Sequence, residues 1–158
     1  HFPIRSINDI RVGTRGSFDL DWIQARWSGQ ERISLNHIEN TLIRPRFKDP
    51  RIHFALVCAA KSCPELLDRP YKEQTLSKQL DNQTRNFFKD KRHVAYREQD
   101  QALVVSKIFS WYQVDFDADA GSLKAYLVRE KKSATGIEIL SNVKIAFHEY
   151  SWDLNQAP

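Results

Sequence analysis

The sequence predicts an α+β fold: one domain over residues 1–158, with about four or five helices packed on a small, mainly antiparallel sheet. Three observations predict it. Apolar residues recur at helical spacing between residues 74 and 90, where Leu76, Leu80, Thr84, Phe87 and Phe88 share one face and Lys78, Asp81, Asn82 and Arg85 the other. Short apolar runs at Val94–Arg97 and Ala102–Val105 flank Gln99-Asp100, the pattern of a hairpin. Helical and strand segments are also segregated along the chain rather than strictly alternating. A length of 158 residues is ordinary for one domain, and enough to bury a core without staples.

The remaining elements follow from local signals. Residues 1–20 read as irregular, with turns at Gly13 and Gly16. Residues 22–27 alternate in strand fashion, Ser28-Gly29-Gln30 turns, and Arg32-Ile33-Ser34 pairs back. Ser34 or Asn36 caps a helix with Leu35, Ile38, Leu42 and Ile43 inward, which Pro45 ends. Asn36 and Glu39 have capping-box spacing. Asp49-Pro50 starts a helix running to about Ala60, although the run also fits a buried strand. Ser106 caps a short helix holding Ile108, Phe109, Trp111 and Tyr112, and Ser122 starts another with Leu123, Tyr126 and Leu127. A last strand covers residues 143–148.

Composition narrows the function classes. Four Trp, five Tyr and nine Phe in a chain with 41% hydrophobic residues describe a globular protein, not a disordered one. The longest apolar run, residues 54–60, is far short of the roughly 20 residues of a membrane-spanning helix. The net charge of +4 is spread along the chain, and the densest basic group, Lys89–Arg92, contains Asp90. This points away from nucleic acid, and the partner of a binding module would be an unknown protein or peptide. The chain carries no Met, and its opening reads as the end of an element, so the expectation is a piece of something longer.

The chemistry concentrates in Asp49–Pro64, which holds both cysteines and His53. His53 and Cys58 are five residues apart. That spacing puts them ~140° apart on a helix and on opposite faces of a strand. Cys58 and Cys63 have the same offset and would lie ~7.5 Å apart along a straight helix axis, beyond disulfide reach. A bridge or a shared site therefore requires a chain reversal near residues 60–62, which the break expected before Pro64 allows. The spacing fits neither zinc-knuckle nor two-residue redox patterns, so no metal and no cofactor is assigned.

Two readings stay open. In one, Cys58 and Cys63 are a structural knot of a binding or scaffold module. In the other, the chain is a thiol-dependent hydrolase or acyltransferase with Cys63 as nucleophile, His53 as base, Glu39 as a second partner and Cys58 more deeply buried. His37, His93 and His148 are further candidate bases, and Asp115 and Asn155 further candidate orienters. The aromatic cluster Phe109, Trp111, Tyr112, Phe116 reads as core.

Asp49–Pro64, Tyr71, the Leu76–Leu80 helix and the run from Leu103 to Phe116 resemble the domain of unknown function 547 family. Ser34-Leu35, Ile38-Glu39 and Ile43-Arg44 are similar to its preceding segment. The resemblance spans most of residues 3–155. It implies an uncharacterised activity and, from the family's bacterial and often exported members, a periplasmic or secreted location. Members generally carry a further upstream stretch rich in Trp, Asn and Tyr, so the expectation is that this chain is the C-terminal larger part of the domain. A papain- or transglutaminase-like layout is an expectation by analogy only.

Overall fold

A computed structural model describes residues 4–155 and confirms a mixed architecture of helices with small sheets. Its contacts divide the chain into two units, described separately.

The first unit comprises residues 4–49, 59–61 and 152–155 of the described chain. Ser6 begins it with a capping box: its hydroxyl accepts from the Asn8 amide while the Asp9 carboxylate accepts from the Ser6 amide. β1 (Arg11–Val12) and β2 (Arg15–Gly16) form a minimal antiparallel pair, with Gly13 at φ 60 in the turn. β3 (Ile23–Gln24) and β4 (Arg32–Ile33) form the hairpin the alternation predicts. Ser34, not Asn36, caps the next helix, accepting from the His37 amide at 3.1 Å. That helix passes from α1 (Leu35–His37) through a π-helical stretch, Ile38–Ile43, into α2 (Arg44–Phe47). Two expectations are corrected here. Glu39 lies in the π-helical stretch and not at the third position of an Asn36 box. Pro45 does not end the helix, because it occupies the first turn of α2, where its missing N–H is harmless. Residues 59–61 pair with 153–155: the Asn155 amide donates to the Ala59 carbonyl and the Lys61 amide to the Asp153 carbonyl, both at 2.8 Å.

The second unit comprises residues 50–58 and 62–151. α3 (Leu76–Lys89) buries Leu80, Gln83, Thr84, Phe87 and Phe88, the face its periodicity predicts. β5 (Val94–Arg97) and β6 (Ala102–Val105) are an antiparallel hairpin, and β7 (Lys144–Phe147) adds in parallel to β6, giving the order β5-β6-β7. Sequence alternation cannot distinguish that parallel partner from an antiparallel one. α4 (Ile108–Trp111), α5 (Gln113–Ala120) and α6 (Leu123–Thr135) follow, with Ser122 capping α6 and Gly121 and Gly136 in the left-handed conformation at the helix ends.

The predicted helix over 50–60 is the main correction. It is one short 3₁₀ turn, Pro50–Phe54, after which the chain opens. Phe54 explains the stop. It is fully buried at the centre of an aromatic cluster, with ring centroids 4.6 Å from Phe87, 5.7 Å from Phe109 and 6.0 Å from Phe116. Packing on several sides of this one residue outweighs the modest gain of extending a helix. α3 then holds both ends of the block. Arg51 reaches Asp81 at 2.5 Å, and Gln83 donates to the Glu65 carbonyl at 2.8 Å.

Candidate functional site

The block divides into a sealed start and a half-open end. At the start, the 3₁₀ turn directs His53 inward beside Phe54. His53 Nε2 lies 2.8 Å from Asp115 Oδ2, and the imidazole stacks on Tyr112 with centroids 3.9 Å apart and planes at 19°. The His53 side chain is 1% exposed against 25% for Asp115. The break between α4 and α5 builds this contact, since Tyr112 sits at the junction and Asp115 in the first turn of α5.

At the end of the block the chain reverses as the spacing requires. Ala59 is the pivot, a non-glycine residue at φ 59, where a side chain costs about 1–2 kcal/mol. Ser62 turns the chain outward: its hydroxyl accepts from the Ser151 amide at 2.9 Å and its amide donates to the Ser151 carbonyl. Cys58 and Cys63 are thereby brought to a Cα separation of 6.1 Å and joined as a disulfide. The Cys58 amide donates to Cys63 Sγ at 3.0 Å, and Tyr150 Oη lies 3.4 Å from each sulfur. Burial pushes the Tyr150 phenol up to about 12, so its proton stays on. Trp111 packs on Tyr150 with centroids 4.7 Å apart.

The exposure of the two cysteines is the reverse of expectation. Cys63 is 7% exposed, and Cys58 is the more accessible of the two. Pro64 is itself buried, so the Ser-Cys-Pro stop drives Cys63 into the unit instead of presenting it.

The other candidates separate. His37 and Glu39 belong to the first unit, as does Asn155, whose described bond is its backbone pairing with Ala59. His93 is buried just before β5, stacked on Phe87 with centroids 4.1 Å apart and planes at 8°. Its Nε2 has no hydrogen-bond partner among the described residues, and burial pulls the imidazole down to about 4 against the weak pull of Asp90, 3.9 Å away. It borders a pocket of about 70 Å³ with Pro64, Glu65, Gln83, Asn86 and Asp90. His148 follows β7 and also has a buried Nε2 without a partner among the described residues. No group of three or more His, Cys, Asp and Glu side chains among the described residues is arranged to hold a metal ion.

Sequence reasoning missed Tyr150 altogether. It lies 87 residues from Cys63, and no local pattern marks it. It missed Lys131 as well, a buried lysine on α6 that donates to the Phe88 and Val94 carbonyls at 2.8 and 2.9 Å and closes the end of α3. A charge on the apolar face of a helix was the available signal.

Residues 24–88 match the model of a family described as protein of unknown function, DUF547. The matched segment contains the whole Asp49–Pro64 block and nearly all of α3, and stops short of Asp115 and Tyr150. No curated protein and no solved structure matches the chain. No helix among the described residues is long and apolar enough to cross a membrane.

Proposed function

We propose that this chain is an extracytoplasmic binding or scaffold module for a protein or peptide partner, with Cys58 and Cys63 as a structural knot. One observation carries the reading: the groups a thiol enzyme would need are committed to one another. Both sulfurs share one bond, and the His53 imidazole of the same block is held by Asp115 and sealed under Tyr112. A nucleophile needs a thiolate, and a base needs access to the proton it removes. The disulfide also favours an oxidising compartment, periplasmic or secreted. The rival reading, with Cys63 as nucleophile, His53 as base and Glu39 behind it, requires that bond to be open. Titration of the native, unreduced protein with a thiol reagent separates them. The module reading expects no reactive thiol, and two after reduction. A single fast-reacting thiol with a depressed pKa contradicts it.

A further inference from the structure

The disulfide is not symmetric, and the asymmetry has a chemical direction. Cys58 is the accessible partner, while Cys63 is 7% exposed. The Cys58 amide points at Cys63 Sγ, at 3.0 Å, while the Tyr150 hydroxyl lies 3.4 Å from both sulfurs, so Cys63 has two donors in reach and Cys58 one. A disulfide sulfur is a weak acceptor, whereas a thiolate is a strong one. A thiolate on Cys63, with the amide as well as the shared hydroxyl in reach, is therefore better stabilised than one on Cys58, and far more after the bond breaks than before. Leu56 and Val57, just before Cys58, and Trp111, packed on Tyr150, are themselves exposed apolar residues.

We propose that Cys58–Cys63 is a thiol–disulfide exchange site, with Cys58 Sγ as the attacked sulfur and Cys63 as the leaving thiolate, received by the Cys58 N–H and the Tyr150 O–H. The co-reactant is a dithiol. Its first thiolate, having given its proton to solvent, attacks Cys58 Sγ. The Cys58–Cys63 bond breaks, its electron pair stays on Cys63, and a mixed disulfide forms on Cys58. The second thiolate of the dithiol attacks its own sulfur in that mixed disulfide, and Cys58 leaves and is protonated by water. The dithiol has become a disulfide, and the cysteine pair has gained its two electrons. A leaving thiol of lowered pKa departs faster, which is what the two donors provide.

This rests on the bridged reading of the block but goes beyond it, since a knot need not be reducible in the folded state. The test uses the intact, folded protein with reduced glutathione as a monothiol probe, rapid alkylation and peptide mapping. The expected product carries glutathione on Cys58 and the alkyl label on Cys63, and Tyr150→Phe slows its formation about tenfold. Glutathione on Cys63, or an unchanged rate in Tyr150→Phe, overturns the proposal. Opening that keeps pace only with global unfolding, measured by hydrogen exchange, also overturns it while leaving the knot reading intact. Two free thiols in the protein as isolated overturn the knot reading instead. Should Tyr150→Phe fail to fold, Cys58→Ser supplies the second measurement, because Cys63 then titrates alone in front of both donors. A pKa clearly below the ordinary ~8.5 supports the proposal, and a value at or above it overturns it.

Discussion

The two halves of the Asp49–Pro64 block are neighbours in sequence and opposites in physics. Pro50–Phe54 is sealed: Phe54 fills an aromatic core, and the His53 side chain is 1% exposed. Cys58–Pro64 is half open, pinned by hydrogen bonds at Ser62 and by a covalent bond, and it keeps one sulfur near the surface. The comparison teaches that polar and reactive residue types in one signature need not serve one site. His53 is satisfied inside a core, with its carboxylate partner supplied from α5, whereas the cysteines are held by a turn that the 3₁₀ segment feeds. Burial is the deciding variable, and it changes within four residues between Phe54 and Cys58.

The largest effect should come from breaking the sealed half. Phe54→Ala empties the centre of four ring contacts. It should cost about 4 kcal/mol in denaturant unfolding and leave the disulfide formed. A loss below about 1 kcal/mol would show that Phe54 is not the anchor.

The pH response comes next, and it contrasts His93 with His53. Both rings are buried and stacked, but His93 lacks a close acceptor on Nε2. Its folded pKa of about 4 lies below the ordinary 6.5, so the unfolded chain binds the extra proton between these values. Stability should therefore be complete above about pH 6.5 and decline toward pH 4, by up to about 3 kcal/mol. In His93→Phe this part of the pH dependence should vanish, a result read from unfolding midpoints across that range.

Opening the other half should matter less to stability. The Cys58→Ala/Cys63→Ala double variant releases a loop with a sequence separation of only 5. The chain-entropy estimate for so short a loop is about 2 kcal/mol. A loss near that value with native aromatic circular dichroism would show the two halves to be energetically separable. Collapse of the fold would show that they are not.

The smallest effect should follow Asp115→Asn, which keeps the shape of the His53 partner and removes its charge. About 1 kcal/mol is expected from thermal unfolding. Cys58 and Cys63 should remain joined, since their described contacts are to each other and to Tyr150.

What the sequence made legible follows from what acts locally. The 3.6-residue period exposed α3, and alternation found the β3–β4 and β5–β6 hairpins. The Ser34 and Ser122 caps were readable because a cap is a matter of three or four neighbouring residues. The block itself was located and its required reversal deduced, because a five-residue offset excludes contact within any regular element. Three things lay beyond local reach. Helix termination at Phe54 is set by rings from α3, α4 and α5. The parallel pairing of β7 with β6 joins residues about 40 apart. Tyr150 reaches the sulfurs from the far end of the second unit. Asp115 sat among the candidate orienters, but only tertiary packing pairs it with His53 and not with another histidine. The exposure of the cysteines is inverted because Cys63 lies at the end of the apolar run in sequence, while in the fold it and Pro64 are buried.

The central claim is that Cys58 and Cys63 are joined in the native protein and that the block is a bridged knot. It is tested most directly by unfolding the unreduced protein in denaturant with an alkylating reagent present and counting labelled cysteines by mass. The account predicts no label, with Cys58 and Cys63 recovered in one cross-linked peptide. Label on both cysteines would contradict it.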